Sequence, residues 1–201
     1  ANNSAAEYGG FACLWTASAM VMDEDAEVVD SHSDGFGGGV YAREGSSVQL
    51  KDVAFRGGFA GARGGGLFVY ERSSLVVMRS VIDGNRAGAR AGGIGAMFSS
   101  SVELVNCSVN GNTAGGDAGG IYLCCETSLT VLRSTIDSNS AGDRGGGVYA
   151  LSSATVELLE GSSVSSNTAV DYGGGLYVSG STLTVSASVI DSNTAGDNGG
   201  G

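Results

Sequence analysis

An all-β solenoid is the fold class this sequence predicts, and three observations predict it. A phrase built on glycine, apolar and asparagine positions recurs about every 27 residues along the 201-residue chain. Within each repeat, apolar residues alternate with polar or small ones in short runs, which is the period of a strand. Glycine supplies 36 residues and proline none, which suits a fold that needs nearly every backbone N–H in a sheet ladder.

Two independent markers fix the period. The apolar residue after each glycine cluster is Phe11, Val40, Leu67, Ile94, Ile121, Val148 and Leu176. The asparagine closing each [Ile/Val]-x-x-Asn phrase is Asn85, Asn112, Asn139, Asn167 and Asn193. Each repeat reads as three short strands. In the first, Leu67/Val69, Ile121/Leu123 and Leu176/Val178 share one face. In the second, Leu75/Val77, Val102/Leu104, Leu129/Val131, Val156/Leu158 and Leu183/Val185 do so. The third is three residues long, with Ile82, Val109, Ile136, Val164 and Ile190 inward. Helical units are excluded by the two-residue period and by the Gly/Ser/Asn punctuation. A propeller blade needs about 40 residues, and leucine-rich repeats a denser leucine pattern. What remains is a right-handed parallel β-helix of about seven coils, roughly 35 Å tall at about 4.8 Å per coil.

Stacking in register turns the asparagine column into a ladder, each amide bonded to the next across coils. Gly58 and His32 are expected to take the ladder position in the early coils. Ala87, Ala114, Ala141, Ala169 and Ala195 follow two residues after the marker and fit a narrow corner, and the glycines turn the chain into the next strand. The first residues, Asn3 to Gly10, match the pattern of Asn167 to Gly174, and the last are a glycine cluster. Residues 1–201 are therefore expected to be a single β-helix segment of a longer solenoid, starting and stopping in mid-coil.

Charge bounds the partners. The net charge is −11, with seven acids and no Lys or Arg before residue 43, and eight bases between residues 43 and 90. Overall acidity argues against nucleic acid, which needs a basic face. No apolar run reaches the roughly 18 residues of a membrane span. The four cysteines, Cys13, Cys107, Cys124 and Cys125, form neither a disulfide framework nor a zinc motif. For the adjacent pair, a vicinal bridge, two free thiols and bonds to other partners are all open.

Candidate chemistry is sparse. Outward acids of the third strand, Asp83, Asp137 and Asp191, alternate with Asn110 and Ser165, so they fall about 10 Å apart. That spacing is too wide for a retaining carboxylate pair and marginal for an inverting one. Asp143, Asp171 and Asp197 precede glycine turns. Both sets read as solvated acids that keep the faces soluble. Asp23 and Asp25 are a weak calcium candidate. No catalytic residues and no cofactor are expected. The outward row Tyr41, Phe68, Tyr122, Tyr149 and Tyr177, interrupted by Gly95, would either stack upon itself or offer a stripe for glycans or lateral subunit contacts.

The paired signals Gly-Gly-x-[Ile/Leu/Val] and [Ile/Val]-x-x-Asn resemble the repeats of chlamydial polymorphic membrane proteins, which carry Gly-Gly-Ala-Ile and Phe-x-x-Asn. They are similar also to repeats of bacterial and algal surface proteins in the pectate-lyase-like superfamily. The resemblance implies a passenger or stalk segment, structural or adhesive, outside the cell or on its surface. Uniform repetition without a polar constellation adds the expectation of a filament or appendage, with neighbouring coils or subunits as partners, and the aromatic row makes glycans a further candidate. The competing expectation is a carbohydrate-binding or polysaccharide-modifying β-helix of lyase or epimerase type.

Overall fold

A computed structural model describes residues 3–200, in which short strands alternate with turns, bends and irregular links and no helix occurs. One coil shows the plan. Ile121–Cys124, Ser128–Leu132, Thr135–Asp137 and Ser140–Ala141 run in sequence around the axis, and the next coil repeats them one level on. Like strands pair only with like strands, always in parallel, giving three seven-stranded sheets and one of eight short strands. Sequence reasoning expected three strands per coil. The fourth is two residues long, too short for alternation to reveal, and lies in what reads as the asparagine corner.

The register is one repeat per coil throughout. Ile94, Ile121 and Val148 stack in the first sheet, Val102, Leu129 and Val156 in the second, Val109, Ile136 and Val164 in the third. Ala114, Ala141 and Ala169 stack in the fourth, where only a methyl group fits inside the corner. These inward files form one continuous apolar core from Leu14 to Val164. Burying each Leu or Ile there contributes about 1.5–3 kcal/mol. At the last coil the same files come to the surface, Leu183 and Val185 being exposed and Ile190 half-buried. Two early positions differ from expectation. Ala12, not Phe11, stands above Val40 in the first sheet. His32 pairs with Phe59 and Ser4, so the residue in the asparagine file is Ser31, and His32 faces out.

The cysteines occupy corners that form without them. Cys124 and Cys125 are disulfide-bonded to each other. Cys125 and Glu126 adopt left-handed angles, as do Phe98 with Ser99 and Ser152 with Ser153 in the flanking coils. The bridge is therefore laid on a corner that the repeat already makes.

Candidate functional site

Three polar ladders hold the corners at fixed spacing, and they decide how the outer faces are presented. In the asparagine ladder, Nδ2 of Asn112 donates to Oδ1 of Asn139 at 3.0 Å and to the Ile82 carbonyl at 2.9 Å. Its own Oδ1 accepts from the N–H and Nδ2 of Asn85, and the pattern repeats through Asn139, Asn167 and Asn193. Asn85, Asn112, Asn139 and Asn167 are essentially inaccessible to water. Gly58 ends the amide chain, its N–H donating to Asn85 Oδ1.

Two hydroxyl ladders escaped sequence reasoning. At the corner between the first and second sheets, the hydroxyls of Ser46, Ser73 and Ser100 each donate to a carbonyl three residues back and accept an N–H from the preceding coil. At the next corner Ser80, Ser134 and Ser162 do the same, bonding a carbonyl two or three residues back. Cys107 fills one rung there, its Sγ 3.1 Å from the Val77 carbonyl. This explains a buried free thiol, which burial pushes above its ordinary pKa. The signal was available as a serine at one fixed offset in most repeats. It was masked because serine is also the commonplace turn residue.

On the outside of the first sheet lies the aromatic row. Tyr41 stacks on Phe68 at 6.0 Å, Tyr122 on Tyr149 at 5.4 Å and Tyr149 on Tyr177 at 4.9 Å, with nearly parallel rings. Phe68 leans over Gly95, which leaves room for it. Of the two expectations for this row, stacking upon itself is what the geometry shows, and the open stripe is not formed. Tyr41, Phe68, Tyr122 and Tyr149 are between 1 and 5% exposed, and only Tyr177, in the last coil, is half-buried. The cause is a roof that the alternation pattern could not reveal. Turn residues one position before the glycines form their own vertical file, in which Tyr8, Phe36, Arg63 and Arg90 are bridged in succession and Asp117 and Arg144 follow.

The upper part of that roof is closed by charge. Buried Asp117 receives Arg90 Nε on one oxygen and Arg144 Nε on the other, both at 3.1 Å. Arg90 lies over Tyr122, and Arg144 lies over Tyr149 and Tyr177, at about 5.5 Å. Burial pushes the Tyr149 phenol above its ordinary pKa, and Asp117 adds to the shift. In the lower coils, Tyr8, Phe36 and Arg63 cover Tyr41 and Phe68 just as fully. They border a cleft of about 190 Å3.

Two of the three outward acids, Asp83 and Asp137, have side-chain partners. Arg56 donates to Asp83 at 3.0 Å, and Asp137 accepts from the Ser165 and Ser138 hydroxyls. Asp23 and Asp25 stand exposed, and no group of three metal-binding His, Cys, Asp or Glu side chains forms among the described residues. Hard-cation coordination needs about six oxygens, so the weak calcium reading finds no support in this geometry. His32, outside the ladder, stacks on Phe59 and lies 2.9 Å from Asp34.

Asp143, Asp171 and Asp197 follow one another at the same corner of three successive coils. A hydrogen bond with Asp143 pushes the Asp171 carboxyl up, helped by partial desolvation and the like charges of Asp143 and Asp197. A carboxyl whose folded pKa is raised stabilises the fold below that pKa, and the benefit disappears as pH rises through it. Asp171→Asn is therefore expected to raise the thermal midpoint at pH 7 and to leave it nearly unchanged near pH 3.5. Circular dichroism melts at the two pH values check this, and an unchanged or lower midpoint at pH 7 refutes it.

Comparison with known proteins agrees with the architecture. Residues 18–195 match the family model described as right handed beta helix region. Neither a curated protein nor a solved structure matches the chain. With coil stacking, parallel pairing and a match over most of its length, the chain belongs to the right-handed β-helix family.

Proposed function

We propose that this chain is a structural or adhesive β-solenoid segment of an extracellular or cell-surface protein, serving as a rigid spacer in a filament or appendage rather than as an enzyme. The observation that carries this reading is the unbroken registration of coils, locked by three buried polar ladders at successive corners. Such a rod keeps its length under load, because opening any coil exchanges its ladder hydrogen bonds for water and exposes the apolar core. The outward acids support the same reading, since Asp83 and Asp137 are engaged by Arg56, Ser138 and Ser165 and sit on alternate coils rather than converging. The Cys124–Cys125 bridge fits an oxidising compartment. Neighbouring coils or subunits of the same surface protein are its partners.

Two measurements test the proposal together. Antibody against the chain is expected to label intact, unpermeabilised cells that produce it. The purified chain, with calcium added, is expected to release no unsaturated product from acidic polysaccharide. Labelling confined to permeabilised cells would overturn the location, and calcium-dependent release of product would overturn the role.

A further inference from the structure

The two halves of the aromatic face are roofed by different side chains. In the upper coils a carboxylate, Asp117, lies between two guanidiniums above stacked tyrosines, and the arrangement is complete. In the lower coils the aromatic row recurs, but the roof there is Tyr8, Phe36 and a single arginine, Arg63, with no carboxylate. The cleft of about 190 Å3 there is lined by five aromatic residues, Tyr8, Phe36, Tyr41, Phe68 and Tyr70, together with Arg43 and Arg63. Arg63 lies over the Phe36 ring at 5.9 Å, and its Nη1 has only the Met97 sulfur, at 3.6 Å. No carboxylate pairs with Arg63 among the described residues, whereas Arg90, one coil on, is bound by Asp117. Arg43 uses its Nη2 on Glu44 and Glu71, while its Nε is buried without a partner.

We propose that this cleft is a binding site for an aryl carboxylate, the flat ring lying against the aromatic lining and the carboxylate pairing with the Arg63 guanidinium, as Asp117 pairs with Arg90. The chain itself supplies the template, a carboxylate held by arginines over tyrosine rings. Size sets one limit, since the volume falls below the roughly 300–1,000 Å3 of drug-sized pockets and suits a single ring. Lining chemistry sets the other. Three phenols and two guanidiniums face the cleft, with no carboxylate, amide or imidazole among the lining residues. A sugar ring, with several hydroxyls needing acceptors, would find only phenol oxygens to accept them, and any left unpaired is costly. An aromatic ring needs none, and gains offset or edge contacts with the surrounding rings. Burial holds the Tyr41 phenol protonated, its pKa pushed up to about 12, so it remains a donor at any ordinary pH.

Trp15, the only tryptophan, reports on the site. It lies edge-on to Tyr8 at 5.7 Å and beneath Arg43 at 4.4 Å. Titration of the 201-residue chain with benzoate is expected to change Trp15 fluorescence saturably, with a dissociation constant of about 1 mM. Saturation-transfer NMR on the benzoate protons reports the same binding should the fluorescence be silent. Arg63→Gln is expected to weaken binding at least about tenfold and Arg63→Lys less, because lysine keeps the charge without the bidentate fork. Arg90→Gln, in the upper coils, leaves binding unchanged. No saturable binding through the millimolar range by either method would overturn the site. Undiminished affinity in both folded Arg63 variants would overturn the role of that arginine. Glucuronate binding as tightly as benzoate would overturn the ligand class. None of these outcomes bears on the scaffold reading, which rests on the coil ladders.

Discussion

Asn112→Ala is expected to lower the free energy of unfolding by about 3 kcal/mol, several times the cost of the same change at Asn193. Asn112 makes four side-chain hydrogen bonds, donating to the Ile82 carbonyl and Asn139 Oδ1 and accepting from the N–H and Nδ2 of Asn85. Alanine leaves the Asn85 N–H and the Ile82 carbonyl without these partners in a site fully closed to water. Each stranded buried group costs about 1–3 kcal/mol. Asn85 Nδ2 is spared, because it also donates to the Phe55 carbonyl. Asn193 accepts the same pair of bonds from Asn167, but it is half-buried in the last coil, and water can replace what alanine removes. Urea denaturation gives the magnitudes. Amide exchange gives the location, since stacked repeats can open in part. Equal losses at the two positions would show that the ladder does not derive its strength from burial.

That ladder was legible in the sequence because asparagine is a distinctive residue recurring at one offset. The inward files Leu67/Val69, Leu129/Val131 and Ile136 were legible for the related reason that alternation exposes them. The roof over the aromatic row was not. Its members are Tyr8, Phe36, Arg63, Arg90, Asp117 and Arg144, a file without common chemistry, so no motif marks it. Only the register shows that arginine at one level and aspartate at the next are neighbours. The aromatic row was correctly placed facing away from the core, yet its burial depended on that unseen file. Alternation tells which side of a sheet a residue occupies and says nothing of what covers that side. The same gap separates the acidic sets. Their file membership could be read from spacing, but their pairing with Arg56, Ser138 and Ser165 required coordinates.

The glycine clusters allow a sharper test, because their three positions are physically different. The first has positive φ, as at Gly145 (67°), yet Ala91 and Ala118 hold the equivalent places at 60° and 62°. The second is glycine in all seven coils, at Gly10, Gly38, Gly65, Gly92, Gly119, Gly146 and Gly174. A Cβ on Gly119 would collide with the Ser140 nitrogen and stand 2.6 Å from the Ser140 carbonyl carbon and oxygen. Ser140 opens the short fourth strand of the next coil, itself fixed by pairing with Thr113 and Thr168, so the obstacle is backbone that cannot rotate away. Gly119→Ala is therefore expected to cost about 4 kcal/mol, at the extreme of single substitutions, by prising two coils apart. Gly84→Ala, in a turn where φ is 62° and no atom lies within 4 Å of the new Cβ, is expected to cost only about 1 kcal/mol, the ordinary penalty of a left-handed alanine. Thermal and urea unfolding of the two variants separate a steric limit between coils from a conformational preference within one. Comparable losses would mean that the left-handed angle, and not the approach of one coil to the next, is why glycine recurs.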